Sequence, residues 1–285
     1  MKIKKKVKEK SSKPKGVESK IKDLTDFEEP LITVIWGRSG HGKTTTAATW
    51  PKPILLIDVN DKGAESAKSK SLKKGDIKVL ECITADDLEE AIEYVHDNPT
   101  LYKTVVIDHM TQVQELYKQR IMQEEGKSKM TQPMFGTLSG YMKDFIMDVR
   151  SLVDDGIYPV FLAQDRTDEV ETSDEDLLDP DVGPAMTPAV QKFLIASSKI
   201  VGRQYIASYE EKKKVNGVPK KVPITEYRLF IGPNPYYATK IRKPKGAYCP
   251  DYLVDPKFED LLAITKGEYK EAKSESKKDK KVKKK

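Results

Sequence analysis

The chain has 285 residues, 38% of them hydrophobic and 34% charged, with a formal net charge of +6. That length supports one sizeable α/β domain, or at most two small ones. No apolar run reaches the roughly 18 residues of a membrane span, and the lysine-rich start lacks the apolar stretch of a signal peptide, so neither membrane insertion nor secretion is expected.

The charge is unevenly placed. Residues 1–22 carry ten Lys and two Glu, and residues 266–285 carry ten Lys, three Glu and one Asp, so the intervening chain is net acidic at −8. Both ends are too poor in apolar residues to offset the entropy of ordering, which predicts disordered basic arms over 1–26 and 266–285 around a globular domain at 27–265. Such arms either solubilise the protein or tether it to a polyanion. Cys82 and Cys249 belong to no C-x-x-C pair, so structural zinc and a disulfide framework are not expected and a reducing cytoplasm fits.

From residue 31 onward, apolar β-branched runs alternate with helical patterns. LITVIW (31–36) reads as a buried strand, followed by a glycine-rich turn and a helix from Thr44 to about Trp50. PILLIDV (53–59) and KVLEC (78–82) read as strands, and DDLEEAIEYVHD (86–97) as a helix capped by Thr84 or Asp86. TVVIDHM (104–110) is a fourth strand with a helix behind it, residues 136–156 form an amphipathic helix ending at Gly156, and YPVFLAQD (158–165) is a fifth strand. Next come two strands, 199–208 and 225–233, flanking a basic hairpin centred on Asn216-Gly217, and a short strand at 236–242. Near-continuous apolar strands separated by helices imply a mostly parallel sheet with helices on both faces, here with an antiparallel C-terminal edge. Trp50, Tyr236 and Tyr248 read as base-stacking or core aromatics, with the core assignment preferred.

The segment Gly37-Arg38-Ser39-Gly40-His41-Gly42-Lys43-Thr44 fits G-x-x-x-x-G-K-[ST], the phosphate-binding P-loop, and Thr45 follows it. Glycines allow the backbone N–H groups to turn inward around a β-phosphate at the positive end of the next helix. Lys43 reaches the β- and γ-phosphates of ATP, and the Thr44 hydroxyl ligates Mg²⁺. Asp108 ends the fourth strand, where P-loop NTPases hold the metal's second protein oxygen. His109 reads as a surface residue, and no chemistry is assigned to any histidine. No guanine-reading N-K-x-D follows a later strand, and no lid with arginine clamps marks a small-molecule kinase. ATP hydrolysis or ATP sensing remains.

In the order GRSGHGKTT, PILLIDVND, TVVIDHMTQ, VFLAQD and YYATKIRKP, residues 30 to 263 resemble the RecA-like P-loop ATPases, in particular the AAA-type nucleotide-binding proteins of phage single-strand annealing and recombination. The resemblance implies an ATPase acting on single-stranded DNA, working as a ring or filament, in the cytoplasm of a phage-infected bacterial host. It implies a water-polarising carboxylate after the second strand, yet the usual glutamate position is Asn60 here, with Asp61 next to it. Asn orients water but accepts no proton, so Asp61 or Asp58 must substitute, or the protein mainly senses ATP. It further implies that Gln164 senses the γ-phosphate and that Lys240 and Arg242, on one face of an edge strand, act in trans on a neighbour's ATP. Two DNA-binding loops are implied. One carries Lys127, Lys129 and Phe135 beside Met130 and Met134. The other starts at Asp165-Arg166 and is strongly acidic, which opposes DNA phosphates. A non-hydrolysing ATP-gated scaffold or loader and a P-loop kinase stay open as alternatives.

Overall fold

The computed structural model of the chain describes residues 30–165, 182–215 and 218–270, together with 21, 23 and 24; between 212 and 220 only the backbone is described. The predicted basic arms, apart from those few residues at their inner ends, lie outside this set, as do Arg166 and most of the acidic loop.

Among the described residues, nine strands form one sheet. Strands β1 (Thr33–Trp36), β2 (Ile54–Val59), β3 (Ile77–Cys82), β4 (Thr104–Asp108) and β5 (Tyr158–Ala163) are parallel, in the order β3-β2-β4-β5-β1. Strand β6 (Ile200–Val215) continues the sheet parallel to β1, and β7 (Val218–Phe230), β8 (Lys240–Ile241) and β9 (Tyr252–Val254) add antiparallel pairs. The parallel core and antiparallel flank agree with the pattern of the sequence. All five residues of β4 and all six of β2 are buried, as strands covered on both faces must be.

Side-chain alternation divides the core in two. Val34, Trp36, Leu55, Ile57 and Val59 join the cluster made with helices α2 (Ala85–Asp97), α3 (Met110–Glu124), α4 (Gln132–Ser151) and α5 (Pro188–Ser197). Ile35, Ile54 and Leu56 face the opposite side, where they meet α1 (Lys43–Ala47) and α6 (Phe258–Lys266). On that side Trp50 is buried and tilts onto Phe258 at 5.6 Å. Thr84 caps α2, its hydroxyl accepting the Asp87 amide while the Asp87 carboxylate accepts the Thr84 amide, so the capping box selects Thr84 over Asp86.

Several boundaries differ from those read in the sequence. Helix α4 begins at Gln132, four residues early, with Thr131 at the N-cap position and Pro133 suited to a first helical turn. It closes through a short 3-10 turn to Gly156, which adopts the left-handed conformation expected of a helix terminator. The basic segment on either side of the hairpin centre is strand: β6 and β7 pair continuously from Arg203↔Phe230 to Val215↔Val218, so the ribbon runs far past the sheet. The short strand shrinks to Lys240–Ile241, and β9, α5 and α6 have no counterpart in the sequence reading. Tyr236 and Tyr248 are 62% and 41% exposed, so of the three aromatics assigned to the core only Trp50 belongs there. Tyr269 stacks on Tyr248 at 6.3 Å, carrying packed chain past residue 265. Both cysteines are free, and no helix among the described residues is long and apolar enough to cross a membrane.

Close packing fixes one end of β1. Gly37 follows it with φ near +151°, and a Cβ there would lie 2.2 Å from the Gln204 carbonyl of β6. A backbone obstacle cannot swing away, so Gly37→Ala is expected to cost about 1–3 kcal/mol, the range for overpacking. Urea denaturation of the full chain checks this, and a variant as stable as the parent contradicts the packing.

Candidate nucleotide site

Because β1, β4 and β5 run parallel, their carboxyl ends open at one edge of the sheet, the position where α/β sheets bind ligands. Three predicted residues meet there: Lys43 behind β1, Asp108 at the end of β4 and Gln164 after β5. A cavity of about 550 Å³ lies over them, within the range of roughly 300–1,000 Å³ typical of small-molecule sites. Ser39, Gly40, Gly42, Thr44, Thr45, Asp61 and His109 also line it.

The loop from Gly37 to Thr44 is a turn built on glycine conformations. Gly40 and Gly42 sit at φ near +78° and +86°, where a Cβ is disfavoured. Gly42 is the N-cap of α1 and offers no side-chain acceptor, so the first-turn amides of Lys43, Thr44 and Thr45 are left to an external anion. The Lys43 ammonium donates to the Gly37 and Arg38 carbonyls at 2.9 and 3.0 Å, which holds it across the loop. No described carboxylate pairs with it within 4.0 Å. Burial lowers its pKa, while Asp108, Asp61 and Asp165 act the other way. Arg38 itself is exposed and contributes its carbonyl to that grip. His41 Nδ1 contacts the Gln204 carbonyl at 3.4 Å, and the Thr45 hydroxyl donates to the Ser66 carbonyl at 3.0 Å, so both brace the loop.

The Thr44 hydroxyl donates to Asp108 Oδ2 at 2.7 Å. Two hard oxygens at this separation resemble one edge of a magnesium octahedron, which is about 2.9 Å when metal–oxygen bonds are roughly 2.0–2.1 Å. The donor set therefore fits Mg²⁺ completed by phosphate oxygens and water. The Asp108 carboxyl is pushed up to about 6, mainly by burial; Asp61 and Asp58 add to the rise, and Thr44 and Lys43 oppose it.

Residues after β2 divide their work differently from the expectation. Asp58 is buried and its carboxylate accepts the amides of Asp61, Lys62 and Ala64, so it folds the loop and is not the carboxylate facing water. Asn60 is exposed, takes a left-handed φ of 51°, and does not line the cavity. Asp61 does line it, with its side chain 41% exposed.

His109 is the site residue that sequence reasoning misses. It is 2% exposed, not a surface residue, and its Nε2 lies 3.0 Å from Gln164 Nε2 and 4.0 Å from Asp61 Oδ1. Burial lowers its pKa, which keeps it neutral near pH 7; Asp61 opposes this and Lys43 reinforces it. With the Gln164 amide donating to Nε2, the ring proton sits on Nδ1, an atom with no described hydrogen-bond partner. Its place directly after a strand-ending aspartate is the only sequence signal for it.

Other candidates lie away from this cavity. The Lys240 ammonium donates to the Ile195 and Ala196 carbonyls at 2.7 and 3.0 Å, and Arg242 Nη2 donates to Ala196 at 3.2 Å. The pair does share a face, but within its own chain it caps the C-terminus of α5, where cations favour the helix dipole. Burial, and then Arg242, lowers the Lys240 pKa. Lys127 and Lys129 are exposed between α3 and α4. Phe135, 42% exposed, is in the first turn of α4 and not in a loop, while Met134 is buried in the core and Met130 packs against it. Asp165 is buried and pairs with Arg203 at 3.5 Å, which removes one charge from the acidic segment.

Asp108 gives a test in which stability and binding move in opposite directions. A carboxyl that titrates near 6 when folded and near 3.8 when unfolded binds its proton more tightly in the folded state. Its charge thus destabilises the ligand-free protein by up to about 3 kcal/mol above pH 6, a penalty that fades as pH falls toward 4. Asp108→Asn is expected to raise the melting temperature at pH 8, to leave it nearly unchanged at pH 4, and to lose magnesium-dependent nucleotide binding. Calorimetry at both pH values reads the first two and titration with Mg-ATP the third.

A profile described as an AAA domain matches residues 29–242. No curated protein matches the chain. The matched span contains the glycine loop, Thr44, Asp108, His109 and Gln164, and it covers three quarters of the sequence. The chain therefore belongs to the AAA-domain family of P-loop proteins.

Proposed function

We propose that the protein is a magnesium-dependent ATPase of the RecA-like type that acts on single-stranded DNA in phage-type recombination, annealing or replication. The observation that carries the ATPase reading is the 2.7 Å contact between Thr44 and Asp108 at the mouth of the glycine loop, beside a lysine that pairs with no carboxylate among the described residues. When bound, the metal supplies Lewis-acid polarisation of the phosphate oxygens and charge neutralisation. The chain's own residues do the rest. First-turn amides and Lys43 hold the phosphates, Thr44 and Asp108 offer oxygens to the metal, and Asp61 presents a carboxylate for the attacking water. Gln164 faces the same space and is oriented by His109.

The nucleic-acid reading is supported by the helix that joins the site to an exposed basic loop. His109 caps the start of α3, whose 15 residues span about 22 Å and deliver the chain to exposed Lys127 and Lys129, with Phe135 just beyond. Cations beside an exposed ring suit phosphate binding and base stacking. A ring or filament is proposed for this role alone, because Lys240 and Arg242 are engaged within their own chain. A second reading, a non-hydrolysing ATP-gated scaffold or loader, is favoured by Asn60 standing where the resemblance expects the water-polarising glutamate.

Steady-state phosphate release with and without single-stranded DNA separates the two. Stimulation by DNA supports the motor, and nucleotide binding with no release supports the loader. Lys43→Ala is expected to abolish nucleotide binding with the fold intact, and retained ATP binding contradicts the scheme. Asp61→Asn is expected to keep ATP affinity and to lower turnover by about 100-fold or more. Lys127→Ala with Lys129→Ala should weaken DNA binding and reduce its salt slope by about 1.4, since each single-strand phosphate that a lysine neutralises adds roughly 0.7 to that slope. Size measurement with a non-hydrolysable ATP analogue reads the assembly.

A further inference from the structure

The cavity over the phosphate machinery is also lined by residues outside the glycine loop: Thr49 of the segment after α1, Tyr227 of β7, and the corner Asp255-Pro256-Lys257 between β9 and α6. Nothing in the phosphate chemistry calls for a ring, a proline and a carboxylate there.

Tyr227 is 43% exposed and lies against the glycine loop, with Cδ1 and Cε1 3.1 and 3.5 Å from where a Cβ on Gly42 would be. Three other exposed tyrosines have partners. Tyr209 bonds Glu226, Tyr248 stacks on Tyr269, and Tyr252 lies under Arg228. Among the described residues, Tyr227 has neither a stacked ring nor a bonded hydroxyl.

The facing corner is held in an unusual conformation. Asp255 is a non-glycine residue at φ 46°, in the left-handed region. Two hydrogen bonds keep it there. The Asp255 amide donates to the Tyr227 carbonyl at 2.8 Å, and the Phe258 amide donates to the Thr49 hydroxyl at 3.0 Å. A residue held in a sparsely populated conformation at a cavity wall is a pointer to function. The corner is tied at once to the tyrosine strand and to the end of the P-loop helix, so its spacing from both is fixed. No described hydrogen bond or ion pair engages the Asp255 carboxylate, and Pro256 is buried beside it.

Resting on the triphosphate reading above, we propose that Tyr227 and the Asp255-Pro256 corner form the nucleobase site, with the base stacked on the Tyr227 ring and the Asp255 carboxylate accepting a hydrogen bond from the exocyclic amine of adenine. A ring that abuts the glycine loop puts its face within reach of a base attached to phosphates held in that loop. A carboxylate only accepts, so it favours a base edge that donates and disfavours a carbonyl at that position.

Isothermal titration of the full chain with three ligands tests this: Mg-ATP, Mg-ITP, which carries a carbonyl in place of the amine, and Mg-tripolyphosphate, which has no base. The parent is expected to bind ATP more tightly than ITP. Tyr227→Ala is expected to weaken ATP by about 10- to 100-fold, the worth of one base–aromatic stack, and to leave tripolyphosphate unchanged. Tyr227→Trp should restore the ATP affinity. Asp255→Asn should reduce the ATP-to-ITP preference by about 5- to 10-fold at unchanged tripolyphosphate affinity. Equal losses for ATP and tripolyphosphate in Tyr227→Ala, or failure of the tryptophan rescue, overturn the stacking assignment. An unchanged preference in Asp255→Asn overturns the edge assignment. Tripolyphosphate that does not bind the parent removes the P-loop reading itself, a result distinct from either.

Discussion

The parallel register of β1, β5 and β4 is the constraint on which the site depends. One strand separates the glycine loop from the aspartate strand, and pairing such as Trp36↔Ala163 and Ile107↔Phe161 ends all three at the same level. Only then does a hydroxyl on α1 meet a carboxylate 64 residues later. A slip of one residue in β4 would send Asp108 to the other face of the sheet and leave Thr44 without a partner. The apolar continuity of these strands, buried on both sides, is what prevents that slip. Stability and chemistry therefore share one cause.

The site combines groups whose demands conflict. Burial pushes the Asp108 carboxyl toward neutrality and the Lys43 ammonium toward deprotonation, while the two charges moderate each other across the loop. His109 takes the neutral form in the same setting. In a weakly screened interior a positive metal and a negative phosphate chain complete the balance that the side chains leave open.

Features readable from sequence are those with local causes. The P-loop follows from glycine conformations, the strand pattern from alternating burial, and the α2 cap from a Thr-x-x-Asp spacing. Asp108 is legible because a charged residue closes an otherwise apolar strand. What escapes depends on distant parts of the chain. His109 looks like an ordinary polar residue until Gln164, 55 positions away, closes over it. Lys240 and Arg242 look like free cations until the end of α5 arrives beneath them. Strand β9 has only three residues and gains its identity from β7. Helix α4 starts ahead of its apolar spacing because its cap and proline resemble loop residues until the first turn forms on them.

The β6–β7 ribbon leaves the sheet near Gln204 and Tyr227 and pairs out to Val215 and Val218. Its stem is in contact with the glycine loop: the Gln204 carbonyl abuts Gly37 and the Tyr227 ring abuts Gly42. At about 3.3 Å per residue, the nine steps from Tyr227 to Val218 reach about 30 Å. The ribbon is thus anchored beside the phosphate loop and extends well beyond it. By simple geometry, a tilt of about 5° at the stem would carry Val215 and Val218 through roughly 2.6 Å over that length.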